Sequence, residues 1–430
     1  MYKPRFHSMI LTAMACALFA LPAAAESQVR IVRLSDVQGG VQIDKNTGLG
    51  FENAFLNLPI TQGTQLRTRD NGRAEIEFED GSTLRLTPQT TVVFGTLGAN
   101  DAGKRTSGVN LVEGRAYVNW LGKSGDEFTL NFSREKVTVT QPAHFRIAAS
   151  SKEAEVASFK SELEVEGPSG TVKVDKKKML TFDADDNGRS TVAKNLKEDQ
   201  YDSWDKQSVE YHDTYAKNNS TPLGYGYSDL NYYGSYTNYP GYGMLWQPYF
   251  TGVGWNPYMD GAWSWYPGMG YMWASAYPWG WMPYYYGNWV YAPGMGWGWQ
   301  AGGFNTWHGG LNYVGATNFH APVAPQGTVS AVVVGKGGTA STNTLRTNLV
   351  VSRGSAGLGI PRGSVSNLHQ LNSQVAKTGW APLQTAGQFS SAGRSGGSDF
   401  SAVNATGPAG AGRAGAGSAH GSAGAAAGHK

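Results

Sequence analysis

Between Arg73 and Leu86 the chain reads RAEIEFEDGSTLRL, with apolar and polar positions alternating one for one. Ala74, Ile76 and Phe78 alternate with Glu75 and Glu77, then Leu84 and Leu86 flank Arg85. A period of two puts the apolar set on one face of a sheet and sends the charges toward water. Asp80-Gly81 falls between the two runs, where a tight hairpin needs residues that tolerate positive φ. Further strands are predicted at Val109–Val112, Ala116–Trp120, Phe128–Phe132, Val137–Thr140, Phe145–Ala148, Leu163–Val165, Val172–Val174 and Met179–Phe182. Short alternating strands, glycine-rich turns and almost no helical periodicity predict an all-β, antiparallel sandwich or barrel over residues 26–195.

At Asn195 the pattern changes. Tyr201, Trp204, Tyr211 and Tyr215 recur at spacings that suit one helix face, and Asn195 with Glu198 resembles a capping pair. A linking helix is expected over 196–217, within a linker that runs to residue 222.

From residue 223 to 305 the alternation is carried by rings. GWNPYMDGAWSWYPGMGYMW (254–273) aligns without gaps to GWMPYYYGNWVYAPGMGWGW (280–299), and GSYTNYPGYGMLW (234–246) is a third, weaker copy. Each copy centres on a Pro-Gly pair: Pro240-Gly241, Pro267-Gly268 and Pro293-Gly294. Proline presets the first corner of a type II turn and glycine supplies positive φ at the second. Three aromatic β-hairpins are therefore predicted, and because one hairpin alone is marginal in water, they should pack together. Residues 306–430 read as a low-complexity, disordered tail, with transient structure at Thr328–Val334 and Leu345–Ser352.

The first 25 residues place the chain. Lys3 and Arg5 precede an apolar run from Met9 to Leu21, and Ala23-Ala24-Ala25 supplies a cleavage site, so a signal peptide cut after Ala25 is expected. The mature chain is then periplasmic, or secreted to the cell surface, with no transmembrane span. Cys16 lies in this leader, which removes thiol chemistry and disulfides from the mature protein. Without Lys3 and Arg5 the chain has 33 basic and 32 acidic residues, and it lacks the dense basic face of a nucleic-acid binder.

Candidate chemistry is sparse. DADDNG (183–188) copies the first half of a calcium loop, but the position that should hold a bidentate glutamate is Lys194, so a hairpin turn with solvated carboxylates is the preferred reading. His144, His212, His308, His320, His369, His420 and His429 show no metal-site spacing. No serine sits in a G-x-S-x-G elbow, and GKGGT (335–339) lacks Walker spacing. No enzyme activity, cofactor or metal is called for.

The rings remain. Between Gly234 and Ala301 the only aliphatic side chains larger than alanine are Leu245, Val253 and Val290, so a folded domain must use rings as its core. The competing reading is an exposed glycan-stacking platform built from Trp263, Trp265, Tyr284, Tyr285, Trp289, Tyr291, Trp297 and Trp299. The core reading carries the greater weight, since exposed ring patches of that size are rare without a partner. The two are compatible if inner rings pack while Tyr284, Tyr285 and Tyr286 stay exposed on a loop.

LPITQGTQLRTRDNGRAEIEFEDGSTLRL (58–86), LVEGRAYVNW (111–120) and the FTLNF…VTVTQPAHFRI series (128–147) resemble the FecR-like domain, named for a periplasmic sensor-regulator of iron-citrate uptake. The ring-rich region resembles the W/Y-rich, GW-x-PY-containing domain found after such modules in secreted bacterial proteins of unassigned function. The resemblance implies an extracytoplasmic binding or interaction module and brings no catalytic residues. Two departures stand out: only eight residues precede the apolar run, too few for a sigma-factor-binding segment, and Pro142-Ala143-His144 replaces the family's glycine-threonine. The expected function is an exported, non-enzymatic envelope binding or scaffold protein contacting peptidoglycan, envelope polysaccharide or envelope proteins. The alternative is a periplasmic sensor acting through a membrane partner.

Overall fold

The structure, a computed structural model, describes residues 29–383 apart from 101, 124, 184–188, 194, 218–220, 328–330 and 335–349. The expected leader with Cys16, most of DADDNG with Lys194, GKGGT, and the terminus with His420 and His429 lie outside the described residues. Among the described residues no helix is long and apolar enough to cross a membrane.

The fold is all-β, and its first part is an open pair of layers rather than a closed barrel. One layer runs Pro59–Ile60, Val32–Gln38, Arg73–Glu77, Thr83–Leu86, Arg105–Trp120, Ala143–Ala149, Glu153–Ser158, Met179–Asp183 and Ser190–Ala193, antiparallel throughout. The other runs Glu52–Asn53, Val41–Asp44, Gln65–Thr68, Thr91–Ala99, Arg105–Trp120, Glu127–Phe132, Glu135–Val139, Leu163–Gly167 and Gly170–Val174, with one parallel pair between Arg105–Trp120 and Glu127–Phe132. The 16-residue strand Arg105–Trp120 belongs to both. It changes layer at Gly114, where φ is +97° and a Cβ would lie 2.4 Å from the Gln89 carbonyl oxygen, a position only glycine tolerates.

The strands expected from alternation fall within these elements except that Val137–Thr140 overruns Glu135–Val139 by one residue, and Val109–Val112 merges with Ala116–Trp120. The apolar face also holds. Ala74, Ile76, Leu84, Leu86 and Val118 are almost fully enclosed in one core between the layers. The opposite face departs from expectation. Glu75, Glu77 and Arg85 are 3%, 1% and 0% exposed, so the hairpin's charges do not reach water.

Helix α1 (Asp202–Tyr215) lies over that face. It starts after Tyr201 with no side-chain cap, so Asn195 and Glu198 do not cap it. Instead Asp202 accepts from the Asp199 N–H at 2.9 Å and Asp199 from the Tyr201 N–H at 2.9 Å. At Gly224 the chain crosses the Asp80-Gly81 turn, with Gly224 N–H donating to the Glu79 carbonyl at 2.7 Å. A short helix α2 (Tyr227–Tyr233) follows.

The three aromatic hairpins pair Tyr239 with Gly243, Tyr266 with Gly270 and Ala292 with Gly296 at their closing ends. Gly241, Gly268 and Gly294 have φ of 83°, 74° and 84°, and each tip closes with the hydrogen bond of a proline-glycine type II turn. The first and third hairpins join through Trp246 and Trp299 into one sheet; the second pairs instead with Ala331–Val334. Helix α3 (Met282–Tyr285) fills the bend before the third hairpin.

The expected tail is partly folded. Tyr313 and Phe319 pack against Trp297, with ring centroids 6.1 and 5.0 Å away. Val350–Ser352 pairs with Trp380–Pro382, and helix α4 (Leu368–Thr378) lies between them, capped by Asn367, whose side chain accepts from the Gln370 N–H. Low complexity in sequence did not preclude order, because the ring core supplies the surface on which this segment packs. The two short strands agree with structure expected at Thr328–Val334 and Leu345–Ser352.

Candidate functional site

The eight rings proposed as a platform do not form one. Trp263, Tyr284, Tyr285, Trp289, Trp297 and Trp299 are buried, with exposures of 5% or less; Trp265 is half-buried and only Tyr291, at 41%, is open. Tyr286, expected on an exposed loop, is also buried. The reason is the shortage of aliphatics: rings are the only bulky apolar material here, and burying them is what folds the region. Trp279 stands at the centre, stacked on Tyr277 at 4.9 Å between centroids and 6° between planes.

Chemistry gathers elsewhere, in the polar face between the first sheet and α1. Strand register lines up Asp36, Glu75, Arg85, Tyr117 and Arg146 as successive neighbours. A second row runs Arg33, Glu77, Thr83, Asn119 and His144. Helix α1 supplies Asp202, Asp205 and His212, spaced so that all three meet the sheet. Arg85 bonds Glu75 at 2.8 Å and Asp205 at 2.9 Å, and His144 Nε2 lies 2.7 Å from Asp205. His212 Nε2 lies 3.0 Å from Glu75, and its Nδ1 3.2 Å from Ser228 Oγ. Arg146 reaches Asp202 at 2.6 Å.

The network continues into the aromatic module. Arg33 Nη1 lies 2.6 Å from Asp229 of α2 and 3.1 Å from Glu77; its Nε donates to Asn57 and its Nη2 to the Pro278 carbonyl at 2.7 Å. Asn57 in turn donates to the carbonyls of Ser275 and Tyr277. Arg362, from the expected tail, bonds Glu75 at 2.9 Å and Asp229 at 2.6 Å. A second weld pairs Lys45 Nζ with Glu52 at 2.6 Å and Ser264 Oγ at 2.7 Å, while the Tyr266 hydroxyl donates to the Pro59 carbonyl. Burial lowers the Lys45 pKa, partly offset by Glu52.

Burial opposes ionisation at Glu75, but His212, Arg85 and Arg362 outweigh it and hold its carboxyl well below the ordinary value. Burial is likewise outweighed at Asp205 by His144 and Arg85, and at Asp229 by Arg362 and Arg33, so both are lowered. At Glu77 burial wins, helped by the nearby Asp229 charge, and the carboxyl is raised. These directions set an acid response. Glu75, Asp205 and Asp229 each add stability that is fully present above their unfolded values, 4.5 for the glutamate and 3.8 for the aspartates, and lost as pH falls through the lower folded ones. Glu77 acts in the opposite sense, since its raised pKa opposes folding once it ionises. Asp36 and Asp80, raised by burial, act with Glu77. The acid loss is carried by Glu75, whose carboxyl is held furthest down, with Asp205 and Asp229, and their contribution is expected to fall as pH drops below about 4. In urea titrations Asp205→Asn should show a shallower acid loss; a loss as steep as the parent's would remove Asp205 from this account.

These residues escaped the sequence reading because a charge opposite an apolar face is ordinarily solvated. One signal was present: Asp202, Asp205 and His212 share a helix face opposite a hairpin that offers Glu75, Glu77 and Arg85. The departure at Pro142-Ala143-His144 also falls here, since His144 is a network member. Among the described residues no group of three or more His, Cys, Asp or Glu is placed to hold a metal. A shallow groove of about 740 Å³ between Arg67, Asp70, Glu113 and Ser150 is open and mostly polar.

Residues 64–164 match the FecR protein family, and residues 227–326 match a family of unknown function, DUF6600. No curated protein matches the chain. Two crystal structures of a proposed anti-sigma factor from Parabacteroides distasonis ATCC 8503, at 1.65 and 2.50 Å resolution, are 19% and 18% identical over 35% of this chain and 72% and 71% of theirs, each with a TM-score of 0.29.

Proposed function

We propose that this chain, which carries a FecR domain and a DUF6600 domain, is an extracytoplasmic signalling component that acts through a protein partner. The observation that carries this reading is the continuous charge network from the FecR-domain hairpin to the aromatic module. Arg33 alone touches Glu77 in the hairpin, Asp229 in α2 and the Pro278 carbonyl between the second and third aromatic hairpins. The network gives the two modules one contiguous buried connection, the physical route that such signalling needs. Two modules welded in this way suit a sensor better than a flexible tether.

The scaffold reading loses its strongest support, since six of the eight rings that would stack on sugars are enclosed. A non-enzymatic role is part of the proposal, and the network's carboxylates, guanidiniums and imidazoles bind one another at 2.6–2.9 Å. Periplasmic or surface placement is part of the proposal.

The test is in-cell cross-linking of the epitope-tagged full chain in its native host, with transcript profiling of a deletion strain. Recovery of one membrane regulator, together with a defined set of altered transcripts, is the expected result. Retention on isolated cell-wall sacculi with an unchanged transcript profile would move the protein to the scaffold class.

A further inference from the structure

Residues 350–383 are held by ring donors on main-chain carbonyls, the same kind of bond that Trp246, Tyr285 and Trp299 make within the aromatic core. They lie beyond both family-matched regions, so neither module includes them. Their contacts resemble those of a bound peptide. Trp279 Nε1 donates to the Ala356 carbonyl at 2.6 Å, the Tyr233 hydroxyl to the Ile360 carbonyl at 2.7 Å and the Tyr232 hydroxyl to the Val365 carbonyl at 3.1 Å. The Phe250 carbonyl accepts from the Gly354 N–H at 2.6 Å. The body's side chains thus read the segment's main chain, the usual division of labour in peptide recognition, with pockets left to read a few side chains.

The charged anchor is Arg362. Its guanidinium spans Glu75 of the sheet and Asp229 of α2, 5.7 Å from the Tyr211 ring centroid. Ile360, two residues earlier, is buried beside it in sequence and enters the aromatic core. Without Arg362, the Arg33 and Arg85 guanidiniums and the His144 and His212 imidazoles would face Asp36, Glu75, Glu77, Asp205 and Asp229. Such a site demands a cation, and a guanidinium suits it because it can bridge two carboxylates in one plane.

We infer that residues 350–383 occupy a partner-binding groove from within, and that the groove takes a glycine-rich, turn-forming protein segment carrying an arginine in the place of Arg362. The chain's own SAGLGIPRGSV (355–365) is then a resident competitor, and signalling requires the partner's segment to displace it. The preference for arginine follows from Glu75 and Asp229, and the preference for a turn from the glycines at 354, 357, 359 and 363, all with positive φ. The inference rests on the reading of the chain as a partner-binding component, yet it is tested on purified protein. Exchange there can fail while the cellular cross-link succeeds, and the reverse, so the two stand or fall separately.

The full chain is given a protease site between residues 335 and 349, cut, and mixed with a fluorescein-labelled peptide of residues 350–383. Circular dichroism follows the fold of the cut protein. The expected result is exchange of the labelled peptide into a protein that stays folded, with at least tenfold weaker binding by an Arg362→Ala peptide and weaker binding as salt rises. The uncut chain should bind at least tenfold less peptide, and an uncut Arg362→Ala chain should regain binding. Unfolding on loss of the segment would make it core rather than occupant. Equal affinity of the two peptides, or no exchange at all, would overturn the inference. So would dimers of the uncut chain that trade segments, since the groove would then belong to a second copy.

Discussion

Replacing Arg33 with methionine is expected to lower the unfolding free energy by about 3–5 kcal/mol, the range for breaking a buried ion pair from one side. The size follows from what is left behind. Glu77 and Asp229 lose the same guanidinium nitrogen, Asn57 loses its partner at 2.9 Å, and the Pro278 carbonyl loses its donor. Arg33→Lys should recover little, because one ammonium cannot reach in three directions from a fixed plane. Arg33→Met combined with Glu77→Gln should recover part of the loss, since the double change removes one of the stranded charges. Urea denaturation of the three variants decides the matter. A loss below about 1 kcal/mol in Arg33→Met would mean that Arg33 does not hold the two modules together.

The second large effect belongs to the rings. Trp279→Ala should cost about 3–5 kcal/mol, as large-to-small changes at a closed aromatic site do. Trp279 is fully buried, stacks on Tyr277 and Tyr284, and sits 5.0 and 5.9 Å from the rings of Trp246 and Trp289. Trp279→Phe should cost less, because a ring remains and only part of the volume and the bond to Ala356 are lost. Denaturation followed by far-UV circular dichroism, which does not depend on the removed indole, is the measurement. An alanine variant as stable as the parent would show that this cluster is not the core of the region.

Much of this architecture was legible in the alternation of residues. Glu75 and Glu77 between Ala74, Ile76 and Phe78 placed a strand correctly and told which face was core. They could not tell what covered the other face, because helix α1 arrives from residues more than a hundred positions downstream. The Pro-Gly pairs foretold their hairpin tips, since a type II turn is a local matter. How the hairpins share sheets was not local: Trp246 pairs with Trp299, while Trp263 pairs with Val332 from a stretch that composition marked as tail. The rings were correctly foreseen as core material, and their use as a platform was the part that failed. Arg362 was invisible for a related reason. A lone arginine in GIPRGS carries no pattern, and its role exists only where Glu75 and Asp229 converge.

The strand shared by both layers has a consequence for the order in which the molecule can form. Arg105–Trp120 pairs with Thr83–Leu86 and Thr91–Ala99 before it, and with Glu127–Phe132 and Ala143–Ala149 after it. Neither layer can close until it is in place, and each of its halves needs partners from both directions along the chain. Folding dominated by such distant pairings is slow, and local segments are rewarded only once the long loops have closed. A growing chain that ends before residue 120 therefore has no stable portion of this domain to settle into. The sheet pairings on both sides of that strand wait until it has been made.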